Sequence, residues 1–331
     1  MSSRDKKTIA VFLTGGTISM DRREGDVGAQ PSDDFTRLLD GMSLVHDVAL
    51  KPVLWSNIPS PHMDLGHMMR LCRDVDAALA DPGMAGAVIL HGTDLLVETA
   101  FVLDQLLVST KPVVLTGAMR HLGEQGYDGV RNLQNSIQAC LALPESCETV
   151  IQMADKLYTA TDAVKADSLS VEPFIGQNLG SVGRFTNEGA KFVHTSRVHR
   201  PRLAANPAPP SLFVPLITCY PGMDGTLIRA AVENGAAGMV IEGFGAGNVT
   251  PELEKAISNA LDNNVTVVLT TRCLKGGVWP CYGYPGGAAS LMAKGVISAR
   301  YLSGTKAQLL LALALESSIP PDAVAELYKE L

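Results

Sequence analysis

The chain of 331 residues is 46% hydrophobic and 18% charged, a balance that excludes disordered, collagen-like and coiled-coil classes and points to globular folding throughout. Its length allows about two domains. Lys and Arg number 27 against 34 Asp and Glu, a net charge of −7; a surface of that sign repels phosphate backbones and anionic lipid, so neither a nucleic acid nor a membrane partner is expected.

The basic start, Met1 to Lys7, leads into an apolar run over 9–13 that is too short for a secretory signal. No apolar stretch reaches the roughly 18 residues of a membrane span, and a cytoplasmic location is expected. β-rich apolar runs then recur at 8–13, 86–90, 112–115, 149–153, 212–218, 238–242 and 265–270. After the second of these, Leu95, Leu96, Thr99, Val102, Leu103, Leu106 and Leu107 fall on one helical face. Such strand–helix alternation predicts βαβ units and an α/β protein built on a parallel sheet. Over 191–211 the pattern lapses into a basic, proline-rich segment. This segment reads as a linker between a larger N-terminal α/β domain at 1–190 and a smaller, Rossmann-like α/β domain at 212–331, with helices at 225–234 and 251–262. The six cysteines show no CxxC pair and are expected to be reduced and buried.

In an open parallel sheet, ligands collect beyond the carboxyl ends of the strands. The first apolar run ends in Thr14-Gly15-Gly16-Thr17, which is either a plain strand-exit turn or a backbone nest flanked by hydroxyls. The second ends in His91-Gly92-Thr93-Asp94. Thr93 and Asp94 are there either helix caps or polar groups held where free N–H donors gather, and His91 reads as a packed strand-end histidine. Lys165, in a polar segment beyond the strand near 151, acquires interest only if the fold carries it to Thr93 and Asp94. There is no HExxH, no cysteine partner for His62 and His67, no GxxxxGK[ST], and Gly243 to Asn248 lacks the last glycine of a dinucleotide loop. No metal site is expected, and a nucleotide site has only weak support.

Read together, Thr14-Gly15-Gly16-Thr17-Ile18-Ser19 and His91-Gly92-Thr93-Asp94, about 75 positions apart, resemble the two signature blocks of the bacterial-type L-asparaginase family. The resemblance extends through Lys111 to Arg120, Asp128-Gly129 with Asn132-Leu133, the Lys165 segment, Gly245 to Asn248 and the helix at 309–315. It implies an amidohydrolase that converts the side-chain amide of L-asparagine to L-aspartate and ammonia through a threonine nucleophile and an acyl-enzyme. By match to the motifs, Thr17 is the nucleophile, and Thr93, Asp94 and Lys165 form a second catalytic group. Ser60 and Asp94 are matched to substrate anchors, and Asn248 to a residue that reaches a neighbouring subunit's site, which implies a homo-oligomer, a dimer or tetramer. Two departures stand out. Pro61 occupies a position that is often glutamine in the family, and the loop over 20–30, whose charges and glycines suit a lid, carries no tyrosine. They leave open an amidase acting on glutamine or another amide, or a silent amino-acid-binding homologue.

Overall fold

The computed structural model describes residues 7–22, 27–31, 48–193, 203 and 209–329. Part of the expected lid, 23–26, and most of the expected linker lie outside these residues. Two compact units divide the chain, Met1–His199 and Arg200–Leu331.

In the first unit the strands are β1 (Lys7–Leu13), β2 (Met20–Asp21), β3 (Gln30–Pro31), β4 (Val48–Leu54), β5 (Met84–Leu90), β6 (Val113–Thr116), β7 (Val150–Met153), β8 (Lys156–Thr159), β9 (Ala163–Lys165), β10 (Phe174–Gly176), β11 (Gly183–Thr186) and β12 (Gly189–Phe192). Its helices are α1 (Leu65–Leu79), α2 (Leu96–Leu106) and α3 (Gly129–Ala142). One sheet of eight strands runs β12-β11-β8-β7-β6-β5-β1-β4, and β2-β3 and β9-β10 form two small ribbons. From β4 through β7 the pairing is parallel, as the alternating pattern predicts. The interior runs Ile9–Leu13 and Ala87–Leu90 are buried at every position, as strands covered on both faces must be. Ile9, Val11, Leu13, Val88, Leu90 and Val114 join Leu133, Ile137 and Cys140 of α3 in one core. The alternate residues, Ala10, Phe12, Ala87 and Ile89, are equally buried, because successive side chains point to opposite faces.

The sheet does not stay parallel. β7 turns into β8 through Ala154 and Asp155, both at positive φ (48° and 61°), and β8, β11 and β12 continue antiparallel. A two-residue turn of this hand ordinarily carries glycine; here Asp155 is gripped instead by Arg131 Nε and Nη2, each at 2.8 Å, and by Asn135 Nδ2 at 2.8 Å. With β12 running to Phe192, regular structure continues two residues into the segment 191–211.

Taken in chain order, the five parallel strands are arranged 2-1-3-4-5. The direction of strand addition therefore reverses between β1 and β5, the topological switch point at which open α/β sheets bind ligands.

The second unit has four parallel strands in sequence order, β13 (Leu216–Thr218), β14 (Gly238–Gly243), β15 (Thr266–Thr271) and β16 (Ile297–Ser298). Its helices are α4 (Thr226–Glu233), α5 (Pro251–Asp262), α6 (Ala288–Ala293), α7 (Gly304–Glu316) and α8 (Pro321–Lys329). Met239, Ile241, Val267 and Leu269 pack with Ile228, Leu253, Ile257 and Leu291. Gly238 faces α7 so closely that a Cβ on it would lie 2.8 Å from Leu315 Cδ1. β13 is shorter than the run at 212–218, since Leu212 and Phe213 are exposed and Pro215 has no N–H for a ladder. All six cysteines are free, but Cys273 and Cys281 are exposed rather than buried, because both lie on the irregular surface segment between β15 and α6. Among the described residues, no helix is long and apolar enough to cross a membrane.

Candidate active site

Three backbones meet at the switch point with no room for a side chain between them. Gly15 and Gly16, leaving β1, have φ of 105° and 90°, values that L side chains avoid. A Cβ on Gly15 would lie 2.6 Å from the Ile58 carbonyl oxygen, and one on Gly16 would lie 2.3 Å from Gly92 Cα. A Cβ on Gly92 would in turn meet Ser60 Oγ at 2.6 Å. The glycines of the first block are thus demanded by close approach to the second block and to the segment ending at Ser60. Thr14 ties the loops together, its N–H and its Oγ1 both donating to the Leu90 carbonyl at 3.1 and 2.9 Å. From β6, Gly117 closes the other side: a Cβ there would sit 2.6 Å from the His91 carbonyl oxygen and 3.0 Å from Thr93 Cγ2.

Thr17 begins a single 3₁₀ turn, Thr17–Ser19, and is half-buried. The carbonyls around it are all engaged. Ser19 donates from N and Oγ to Gly16 O at 3.0 and 3.1 Å, the Met20 N–H donates to Thr17 O, and Tyr127 Oη donates to Ile18 O at 2.7 Å. Among the described residues the Thr17 hydroxyl has no hydrogen-bond partner.

Thr93 and Asp94 are not the caps of the helix that follows. α2 starts at Leu96 with Leu95 at its N-cap and no side-chain cap bond, so both side chains are left for another partner. That partner is Lys165, at the end of β9, whose Nζ lies 3.0 Å from Thr93 Oγ1 and 2.7 Å from Asp94 Oδ1. Its strand is fixed by pairing with β10 and by Asp162, whose carboxylate accepts from the N–H groups of Asn178 and Leu179 at 2.8 and 2.9 Å. The Asp94 side chain is 61% exposed against 19% for Lys165; an ion pair that open contributes at most about 1 kcal/mol to stability. Its effect is geometric, since it aims the ammonium at Thr93. With Thr93 Oγ1 accepting from Lys165, the proton of Thr93 is free to point elsewhere.

His91 is wholly buried, with Nδ1 2.7 Å from the Gly92 carbonyl and Nε2 3.1 Å from Thr99 Oγ1. Burial pushes its pKa down to about 4, so the ring is neutral near pH 7 and both nitrogens are occupied. It is a structural pin beneath Gly92, in keeping with a packed strand-end histidine.

Ser60 is buried at the start of the 3₁₀ turn Ser60–His62, and Pro61 beside it is exposed. Pro61 brings no N–H and no polar group. Asn248 belongs to the second unit, where its Oδ1 accepts from the Ala288 N–H, the first residue of α6, at 3.3 Å. Sequence reasoning singled out neither Tyr127 nor the crowding at Gly117. Tyr127 stands next to Asp128-Gly129, and its only local signal is the glycine it packs on, for a Cβ on Gly129 would lie 2.1 Å from Tyr127 Oη.

Residues 8–198 match the family described as asparaginase, N-terminal, and residues 213–328 match the glutaminase/asparaginase C-terminal domain. The chain is 32% identical to an L-asparaginase of Bacillus licheniformis over 313 residues, covering 94% of this chain and 96% of that protein. It is 33% identical to a probable L-asparaginase of Deinococcus radiodurans, covering 97% of each. The crystal structure of a probable cytoplasmic L-asparaginase from Campylobacter jejuni superposes with a TM-score of 0.88 at 27% identity, covering 98% of this chain and 99% of that one.

Proposed function

The chain belongs to the asparaginase family, and from that premise we propose that it hydrolyses the side-chain amide of L-asparagine to L-aspartate and ammonia, with Thr17 as nucleophile and without a metal or organic cofactor. The observation that carries the reading is the reach of Lys165 to Thr93 and Asp94, 72 and 71 positions away in the sequence. Thr17 Oγ1 forms the bond to the amide carbon as its proton passes to a positioned base, a transfer that typically contributes about 10²–10⁴-fold. The base returns that proton to the amide nitrogen, and the tetrahedral intermediate expels ammonia and leaves an ester on Thr17. Water then attacks that ester, Thr93 and Lys165 relay the water's proton, and Thr17 leaves with a proton restored. Asp94 keeps the amine on Thr93 and, with Ser60, holds the polar end of the substrate. Preorganised N–H donors in the packed loops balance charge developing on the carbonyl oxygen.

The companion parts of this reading are a cytoplasmic location, a homo-oligomeric assembly in which Asn248 serves a neighbouring site, and a free amino-acid amide as substrate. A second substrate, glutamine or a blocked amide, is favoured by one observation: Pro61, next to Ser60, has neither a side-chain hydrogen-bonding group nor a backbone N–H, so the amine of a free amino acid finds no side-chain acceptor there.

Ammonia release measured over asparagine, glutamine and N-blocked amides tests the substrate, with asparagine expected to turn over fastest. In Thr17→Val the volume is kept and the hydroxyl lost. Its kcat is expected to fall at least about 100-fold with an unchanged melting temperature. Near-parental turnover in that variant refutes the nucleophile, and no release from any amide refutes the enzyme.

A further inference from the structure

We infer that Tyr127 is a positioning residue for the reaction, its hydroxyl holding the Ile18 carbonyl and thereby the orientation of Thr17. The inference rests on the reading of Thr17 as nucleophile and adds to it the device that aims it. Of the carbonyls in and beside the 17–19 turn, those of Gly16 and Thr17 are satisfied from within, by Ser19 and Met20. Within the turn, the Ile18 carbonyl is tied to another element, through the 2.7 Å bond from Tyr127 Oη.

Tyr127 is itself built in. It lies at the end of the loop 119–128, which joins β6 to α3. The Asp128 carboxylate closes that loop by accepting from the N–H groups of Met119 and Arg120 at 3.2 and 3.1 Å. Arg120 Nη1 spans it, donating to the carbonyls of Gln125 and Gly126 at 3.3 and 3.1 Å. Gly126 is at φ +79°, and a Cβ on it would fall 2.2 Å from the same Nη1. A second contact reaches β2, directly after the turn, with the Leu122 N–H donating to Met20 O at 3.0 Å.

The closed loop therefore braces the chain immediately after Thr17 at two points, and the phenol is its side-chain contact. Burial raises the phenol's pKa above its ordinary value, so the group remains a donor across the working pH range. A tyrosine at the end of this loop, seated on Gly129 at the start of α3, can hold a turn that is otherwise one isolated 3₁₀ cycle. Displacement of a reacting atom by about 1 Å can cost 10²-fold in rate.

The experiment measures kcat, KM for asparagine and melting temperature in Tyr127→Phe and in Gly129→Ala, using the full chain. The first removes the hydroxyl and keeps the ring; the second displaces the hydroxyl with a Cβ and keeps its chemistry. Each is expected to lower kcat about 10- to 100-fold with KM within about twofold, because Ser60 and Asp94 are untouched. A purely structural residue would lower the melting temperature and leave kcat per folded molecule at the parental level. That result, or a rise in KM that accounts for the whole loss, overturns the inference. If Tyr127→Phe does not fold, Gly129→Ala decides by the same criteria. An active Thr17→Val brings down the nucleophile reading, whereas an inactive Thr17→Val beside parental kcat in the two brace variants brings down this inference alone.

Discussion

Beside the candidate site lie residues that bear no reacting atom, and His91 shows what they cost and contribute. Its pKa is about 4 in the folded chain because burial penalises the imidazolium, against 6.5 for the free side chain. Between these values the unfolded chain binds a proton that the folded chain refuses, so stability is fully present above about pH 6.5 and is lost as pH falls towards 4. The difference corresponds to about 3 kcal/mol. Urea unfolding at pH 7 and at pH 4 is expected to show a larger loss of stability in the parent than in His91→Gln, which cannot titrate; equal losses would mean that the ring is not held neutral. It follows that His91 supplies no limb of the activity profile near neutral pH. Thr17, Thr93 and Asp94 stand out in the sequence as polar residues at the exit of apolar runs, where an open sheet collects ligands. Lys165 does not, except by resemblance: 71 positions separate it from Asp94, and no periodicity encodes a contact of that range.

Among the elements, the decisive feature is how closely the loops after β1 and β5 approach. Gly16 combines φ of 90° with a would-be Cβ 2.3 Å from Gly92 Cα, and neither condition can be relaxed without parting the two loops. Gly16→Ala is expected to cost about 3 kcal/mol or more, seen as a fall of roughly 10 °C in melting temperature, and to abolish turnover. Gly28→Ala is the control, since nothing lies within 4 Å of a Cβ there, and it is expected to be neutral. Comparable melting temperatures in both would show that the loops do not pack through Gly16. The same physics explains which elements could be read from sequence. β1 and β5 are buried on both faces and stand out as apolar runs. Among the described residues β4 is an edge strand, paired with β1 alone, and Lys51 and Pro52 interrupt its pattern, as edge positions tolerate. The antiparallel strands β8, β11 and β12 are four residues each, and the turn that begins them has no glycine to announce it.

For the molecule as a whole, Thr17, Ser60, Thr93, Asp94, Tyr127 and Lys165 all belong to the unit Met1–His199, and Asn248 belongs to the unit Arg200–Leu331. The second unit contains what an independent fold needs. Its four-stranded sheet packs Met239, Ile241, Val267 and Leu269 against α4, α5 and α6, and it turns Gly238 towards α7. Both faces are therefore covered by helices of the same unit, and Leu310, Leu311 and Leu313 of α7 are buried. A segment with its own core folds alone. Residues 200–331 expressed separately are expected to unfold in one cooperative transition by circular dichroism and to release no ammonia from asparagine, because every group assigned to bond making and breaking lies elsewhere. A broad, non-cooperative melt would mean that this sheet borrows its core from the first unit, and measurable turnover would mean that the reaction does not need Thr17.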